Sequence, residues 1–410
     1  MDKLLVKNQF CHGWIKGELS VQILLDRRTI PKAEGKLEGE DLVLSSNLKV
    51  PLSIDSLSLH AMKDDLKVES AILTWGGTRM ALGGNVKLLA DGVVLDMDLS
   101  ADNLEWDRLE EILEHDKRED GEAPEENQWN LPVRGILRFK TEHFKYDQWT
   151  WSPLHADISF SENSVDVAVT EANLCGISTP GMLRISPEGL RLDFKPVSKD
   201  QDLAPTLTCL GDKKGLVTGK FDLKGTVMTQ GKGEGWLKSL HGDLEFLANN
   251  GRIHRHGLLA KIFAFLNVAG IFSGEFPDIT QEGFPYHTIT AGGTLQDGKL
   301  VLKEGHLNSP SMEIACAGDI DLLDKELDLT YLVAPLKTVD LVVKKIPLVS
   351  DVLNGTLVSI PVKVTGPWAD PKVTALSPSS VGSGLLGIMK RTVQLPFKII
   401  GVPTGEEKPK

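Results

Sequence analysis

Apolar and polar positions alternate with period two along most of this chain. Leu66-Lys67-Val68-Glu69-Ser70-Ala71, Val93-Val94-Leu95-Asp96-Met97-Asp98-Leu99 and Val165-Asp166-Val167-Ala168-Val169 are typical, and Leu42-Val43-Leu44 is a shorter case. Side chains two apart on an extended segment share a face, so each run predicts a strand with one apolar and one wet face. Gly76-Gly77, Asp91-Gly92, Glu188-Gly189 and Asp297-Gly298 punctuate the runs as hairpin turns. The pattern predicts a mainly β fold, an antiparallel meander.

Three stretches repeat the same order of signals: Leu57 to Leu104, Ala156 to Val197, and Gly292 to Leu336. Each reads as a strand, a second strand led by glycine (Gly83-Gly84, Gly181, Gly318), a turn and a further alternating strand. Repetition of this kind predicts an extended array in which each unit contacts its neighbours. Two segments interrupt it. Asp107 to Asn127 begins with helical spacing at Leu109, Ile112 and Leu113 and then turns into an acidic, solvated run ending at Glu125-Glu126. Gly257 to Phe272 predicts a helix that is apolar around most of its circumference, which protein or lipid must cover. From Gly384 to Ile400 the tail is amphipathic and basic on its polar side, with a break at Pro396. The organisation expected is a β-repeat region over 1–105, a helix and acidic loop over 106–130, a second β-repeat region over 131–240, a C-terminal β region over 241–375 and the tail over 376–410.

Composition narrows the function classes. The 410 residues are 41% hydrophobic and 6% aromatic, enough to bury a large apolar surface without being a polytopic membrane protein. Fifty-seven acidic against 45 basic side chains give a net charge of -12, which repels phosphate backbones, so no nucleic-acid partner is expected. Cys11, Cys175, Cys209 and Cys316 lie far apart with no CxxC pair, and they read as small buried residues. No run reaches the roughly 18 apolar residues of a membrane-spanning helix. The N-terminus lacks a signal-peptide pattern, yet strand-like sequence starts at Trp14, as it does when an upstream region has been removed.

From His241 onward the order of elements resembles the AsmA-like C-terminal region of AsmA, TamB and YhdP-type bacterial envelope proteins. Gly242-Asp243-Leu244-Glu245-Phe246 leads to Asn250-Gly251-Arg252-Ile253, then to the apolar segment Leu258 to Phe272 and Phe276-Pro277-Asp278. Gly292-Gly293-Thr294-Leu295, Asp297-Gly298, Asn308-Ser309-Pro310 and Gly318 to Leu322 follow, and Ile360 to Gly366 with Asp370-Pro371 closes the order. The resemblance implies an elongated, curled antiparallel β-sheet groove with a few short helices, of the kind that shelters lipid between membranes. It also implies the periplasmic side of the inner membrane, with phospholipid or another acyl lipid, a membrane surface and envelope proteins as partners. The anchoring helix usual in the family is missing from this sequence.

A lipid groove requires only a concave row of aliphatic side chains, so no cofactor and no catalytic residue is expected. The lining candidates are Leu300, Leu302, Ile314 and Ile320, with Leu322, Leu327, Leu329 and Tyr331. Alternation alone fits a closed β-sandwich equally well; the array and the resemblance favour a groove. Phe263, Phe265, Leu266 and Phe272 are the contacts expected if the apolar helix plugs the groove, the plain alternative being a helix buried over one sheet end. Leu385, Leu386 and Met389 with Lys390, Arg391 and Lys398 either enter a membrane interface or cap the last strand. His254 and His256, with His241 and His287, lack a completing carboxylate or cysteine and read as surface residues. The acidic pairs Asp96/Asp98 and Asp319/Asp321 lie on wet strand faces, and no catalytic motif or glycosidase-like carboxylate pair stands out. The alternative function is a periplasmic scaffold or assembly factor that binds outer-membrane proteins by strand addition. A glycan-active module would need aromatic platforms, and 8 Trp and 3 Tyr appear scattered along the sequence.

Overall fold

A computed structural model describes residues 9–22, 32–45, 52–110, 131–211, 217–254, 261–262, 283–335 and 359–394. Among these residues it contains twenty-one strands and a few short helices, and all but one of the strand pairings considered below are antiparallel. The chain divides into two compact units: Met1–Ser198 with Cys209–Gly211 and Gly225–Leu240, and Lys199–Thr208 with Asp212–Lys224 and His241–Lys410.

In the first unit the meander runs through β1 (Gln9–Gln22), β2 (Lys32–Ser45), β3 (Leu52–Lys63), β4 (Asp65–Trp75), β5 (Thr78–Leu88) and β6 (Val93–Glu105). It continues through β7 (Val133–Tyr146), β8 (Trp149–Phe160), β9 (Val165–Leu174), β11 (Gly181–Ser186) and β12 (Gly189–Phe194) to the last residues of β14 (Lys220–Gly231). The short β10 (Ile177–Ser178) and β13 (Val197–Asp202) pair beside them. In the second unit β15 (His241–Ile253), β16 (Phe284–Gln296), β17 (Lys299–Asn308), β18 (Met312–Asp321), β19 (Glu326–Pro335), β20 (Ile360–Pro367) and β21 (Lys372–Ala375) pair in sequence order. The helices used below are α1 (Leu203–Cys209) and α2 (Ser383–Gln394), and residues 106–110, directly after β6, are also helical.

One pairing departs from a pure antiparallel meander. β6 and β7 run parallel, with Val93 opposite Val133 and Glu105 opposite Lys145. Parallel neighbours need a connection of a dozen or more residues to bring the chain back to the same end, which a hairpin turn cannot provide. The interruption after β6, read from sequence as a break in the array, is that connection; its residues 111–130 lie outside the described set.

The repeat has a structural counterpart in β4–β5–β6 and β17–β18–β19. Val68 and Ala71 of β4 oppose Gly84 and Leu82 of β5, so three steps on one strand meet two on the other. Leu302 and Gly305 of β17 meet Gly318 and Cys316 of β18 with the same mismatch. Opposite each bulge is a glycine with positive φ, 135° at Gly84 and 139° at Gly318. A Cβ there would lie 2.3 Å from Asp96 O or 2.2 Å from Asp328 O, so glycine is required by both backbone conformation and close approach. The middle repeat, β9–β11–β12, keeps an unbroken register from Val165 to Val169 and lacks this device.

Two of the four cysteines are not the small buried residues expected from their spacing. Cys175, in the turn after β9, forms a disulfide with Cys209 at the end of α1, across 34 positions of sequence. No spacing rule pairs two isolated cysteines; only the fold brings their Cα atoms to 5.6 Å. Cys316 is a free, half-buried cysteine, and desolvation of its thiol pushes the pKa up to about 12.

Candidate functional site

Each unit carries an apolar sheet face, and the register defines it residue by residue. In the first unit one cross-strand row runs Leu37, Leu59, Val68, Gly84, Met97, Leu137, Ile158, Val167, Leu183, Leu192. Ten strands thus contribute either an apolar side chain or a glycine to a single line. The row on the opposite side of the sheet is charged. Arg138 bridges Asp96 and Asp98 at 2.7 Å each, Arg184 pairs with Asp166, and Arg134 reaches Glu162 at 2.6 Å and Asp91 at 3.0 Å. The Arg138 guanidinium holds the Asp98 carboxyl below its usual pKa. These pairs are solvated and keep that face wet more than they stabilise it. Met62, Ile136 and Met182, all exposed, are among its apolar exceptions.

Burial separates a groove from a sandwich core. In two packed sheets the inward row is buried throughout. Here Leu37, Leu59, Val68, Leu137, Ile158, Val167, Leu183 and Leu192 are all only half-buried, and Met97 alone in the row is fully buried. A local cover exists at one end, where Leu109, just past β6, packs on Met80, Ala101, Leu104 and Phe139.

In the second unit the corresponding row is Leu244, Gly293, Leu302, Gly318, Leu329, Val364, Val373. A flanking row runs Leu295, Leu300, Ile320, Leu327, and another runs Ile289, Leu307, Ile314, Val333, Ile360. Burial is graded along the strands. Leu307, Ile314, Val333 and Ile360 are buried, whereas Leu300, Ile320 and Leu327 are half-buried. The first member of each row departs from this grading, Leu295 being buried and Ile289 half-buried, so the less covered part of the face is Leu300, Ile320 and Leu327.

Seven of the eight residues expected to line a groove therefore share one face: Leu300, Leu302, Ile314, Ile320, Leu327, Leu329 and Tyr331, the last opposite Cys316. Leu322 lies past the end of β18, in a turn where its amide donates to Gly298 O at 3.0 Å. Sequence reasoning did not extend the candidates to Val333, Val362 and Val364, or to the first unit, although the same alternation marks them. Phe263, Phe265, Leu266 and Phe272 lie outside the described residues. Just before them Ile262 is fully buried, and Lys261 pairs with Asp370 and donates to Pro371 O at 3.1 Å.

The other face of the second unit meets α2. Leu385, Ile388 and Met389 are buried against Ala315, Leu332 and Ala334, with Leu386 packed beside them, so the sheet occupies the apolar side of this helix. Lys390 and Arg391 belong to α2 and Lys398 lies outside the described residues. On the same face the buried Glu313 accepts a hydrogen bond from Asn308 Nδ2 at 2.6 Å and pairs with His306. Both carboxylate oxygens thus have partners, as a buried charge requires.

Among the described residues no helix is long and apolar enough to cross a membrane, and no three His, Cys, Asp or Glu side chains gather in metal-binding geometry. No curated protein and no solved structure matches the chain. Residues 199–373 match the family model described as YhdP protein, a match that starts where the second unit starts and reaches further upstream than the resemblance seen from His241. Over that stretch the AsmA-like resemblance is borne out, and the match supports a bacterial envelope protein of the AsmA and YhdP type.

Proposed function

We propose that this protein handles lipid without making or breaking bonds, by sheltering acyl chains along its apolar sheet faces. The observation that carries the reading is the half-buried aliphatic row of the first unit, set against a charged opposite face. Such a surface is unfavourable in water and favourable against hydrocarbon. Each CH₂ removed from water contributes about 0.8 kcal/mol, so a two-chain lipid is held without a specific polar contact. The chemistry is desolvation, and selectivity for a headgroup is not needed for the chains to bind. The Cys175–Cys209 disulfide agrees with an oxidising compartment such as the periplasm.

The test is native mass spectrometry of the full chain purified from a bacterial host, followed by organic extraction. Co-purifying phospholipid is expected. Protein that carries no lipid and takes none from phosphatidylethanolamine vesicles sinks this reading and promotes the strand-addition scaffold in its place.

A further inference from the structure

At one end of the first unit the apolar face passes into a cluster of aromatic rings. Phe144 opposes Trp151 and Tyr146 opposes Trp149 where β7 turns into β8, and the Phe144 and Trp151 ring centroids are 6.0 Å apart. Trp106, the residue after β6, brings its ring to 6.5 Å from Phe144. The neighbouring Asp107 accepts the backbone N–H of Asp147 at 2.8 Å, which fastens this segment to the hairpin tip. Trp75 and Phe144 pack on the same cluster as Leu82, Leu99 and Leu154, so the rings continue the apolar face.

Three features distinguish this collar from a finished core. Trp106 is 41% and Tyr146 49% exposed. The Trp75 Nε1–H is shielded from water and has no hydrogen-bond partner among the described residues. A buried indole N–H ordinarily finds an acceptor, so this one points to an acceptor that a ligand supplies. Charges around the rings are mixed, Glu105, Asp107 and Asp147 against Arg108 and Lys145, unlike the basic patch that docks on an anionic bilayer. Trp and Tyr combine an apolar body with a polar tip, which suits the ester region of a single amphiphile.

We infer that this aromatic collar is the place where a phospholipid enters or leaves the apolar face, an inference that rests on the lipid-handling reading. The acyl chains lie towards Leu82 and Leu99, an ester carbonyl accepts the Trp75 Nε1–H once the entering lipid displaces the side chains that shield it, and the headgroup stays in water beside Trp106 and Tyr146. Uptake of a fluorescent phosphatidylethanolamine from phosphatidylethanolamine/phosphatidylglycerol vesicles tests this with the full chain. Rates come from stopped flow and final loading from native mass spectrometry. Trp106→Ala combined with Tyr146→Ala slows uptake about tenfold, and Trp75→Phe, which keeps an aromatic ring and removes the donor, slows it about three- to tenfold. Final loading is unchanged in both, and Trp14→Ala, exposed on β1, behaves as wild type. Unchanged rates in both collar variants overturn the inference, as does equal slowing by Trp14→Ala, and in either case lipid-loaded wild type leaves the groove reading standing. Wild-type protein that takes up no lipid removes the groove reading and the collar with it.

Discussion

Breaking the Cys175–Cys209 bond perturbs the first unit in a way whose size follows from the structure. The bond closes a loop across 34 positions. Loop-closure entropy then gives about 3.8 kcal/mol of stabilisation at 25 °C, at the upper end of the usual range of roughly 2–4 kcal/mol. The loop holds β10 to β13 and most of α1, so the loss falls on that part of the sheet. Urea unfolding followed by tryptophan fluorescence, with and without reductant, reads it. With a denaturant slope of about 2–3 kcal/mol per molar, the midpoint falls by roughly 1–2 M on reduction. Cys175→Ser with Cys209→Ser reproduces the shift and abolishes the response to reductant, whereas Cys316→Ser leaves that response intact. An unchanged midpoint, or alkylation of Cys175 in native protein without reductant, refutes the pairing.

Three further outcomes are expected. Gly318→Ala and Gly84→Ala each lower stability by about 1–3 kcal/mol in thermal melts, because the new Cβ meets backbone at a positive φ, while Gly292→Ala, with nothing within 4 Å, is near neutral. Glu313→Ala costs about 1–3 kcal/mol, since it leaves the Asn308 amide without its acceptor; an unchanged melting temperature contradicts that assignment. Burial raises the Cys316 thiol and the Tyr286 hydroxyl each to about 12, from ordinary values of 9.0 and 10.0. Their neutral forms are favoured in the folded state, so the associated stability is complete below about pH 9 and is lost as pH rises towards 12. Flat stability between pH 9 and 12 in denaturant titrations argues against that burial.

Period-two alternation made the strands legible because side-chain direction in a strand is set locally, by the pleat. The same periodicity placed Leu302, Ile320 and Leu329 on one face before any coordinates. Features set by long-range geometry were not legible. The parallel β6–β7 pair depends on where the acidic connection returns, and the Cys175–Cys209 bond on two turns meeting in space. The side of the sheet taken by Leu385 and Met389 depends on where α2 docks, because an amphipathic helix has the same pattern against a sheet as against lipid. The aromatic collar escaped for a related reason: Trp106 and Phe144 are far apart in sequence, and their rings meet only where the strands end.

Sheltering of acyl chains along the apolar faces requires lipid on one face of the sheet and not on the other. Bound phospholipid, quantified by native mass spectrometry, is compared between Leu99→Asp and Ile320→Asp on the apolar faces and Ser100→Asp and Lys303→Asp at exposed polar positions, with folding checked by circular dichroism. The first pair is expected to lose most of its lipid and the second to keep wild-type loading. Equal loading in all four folded variants, or loss confined to the polar positions, contradicts it.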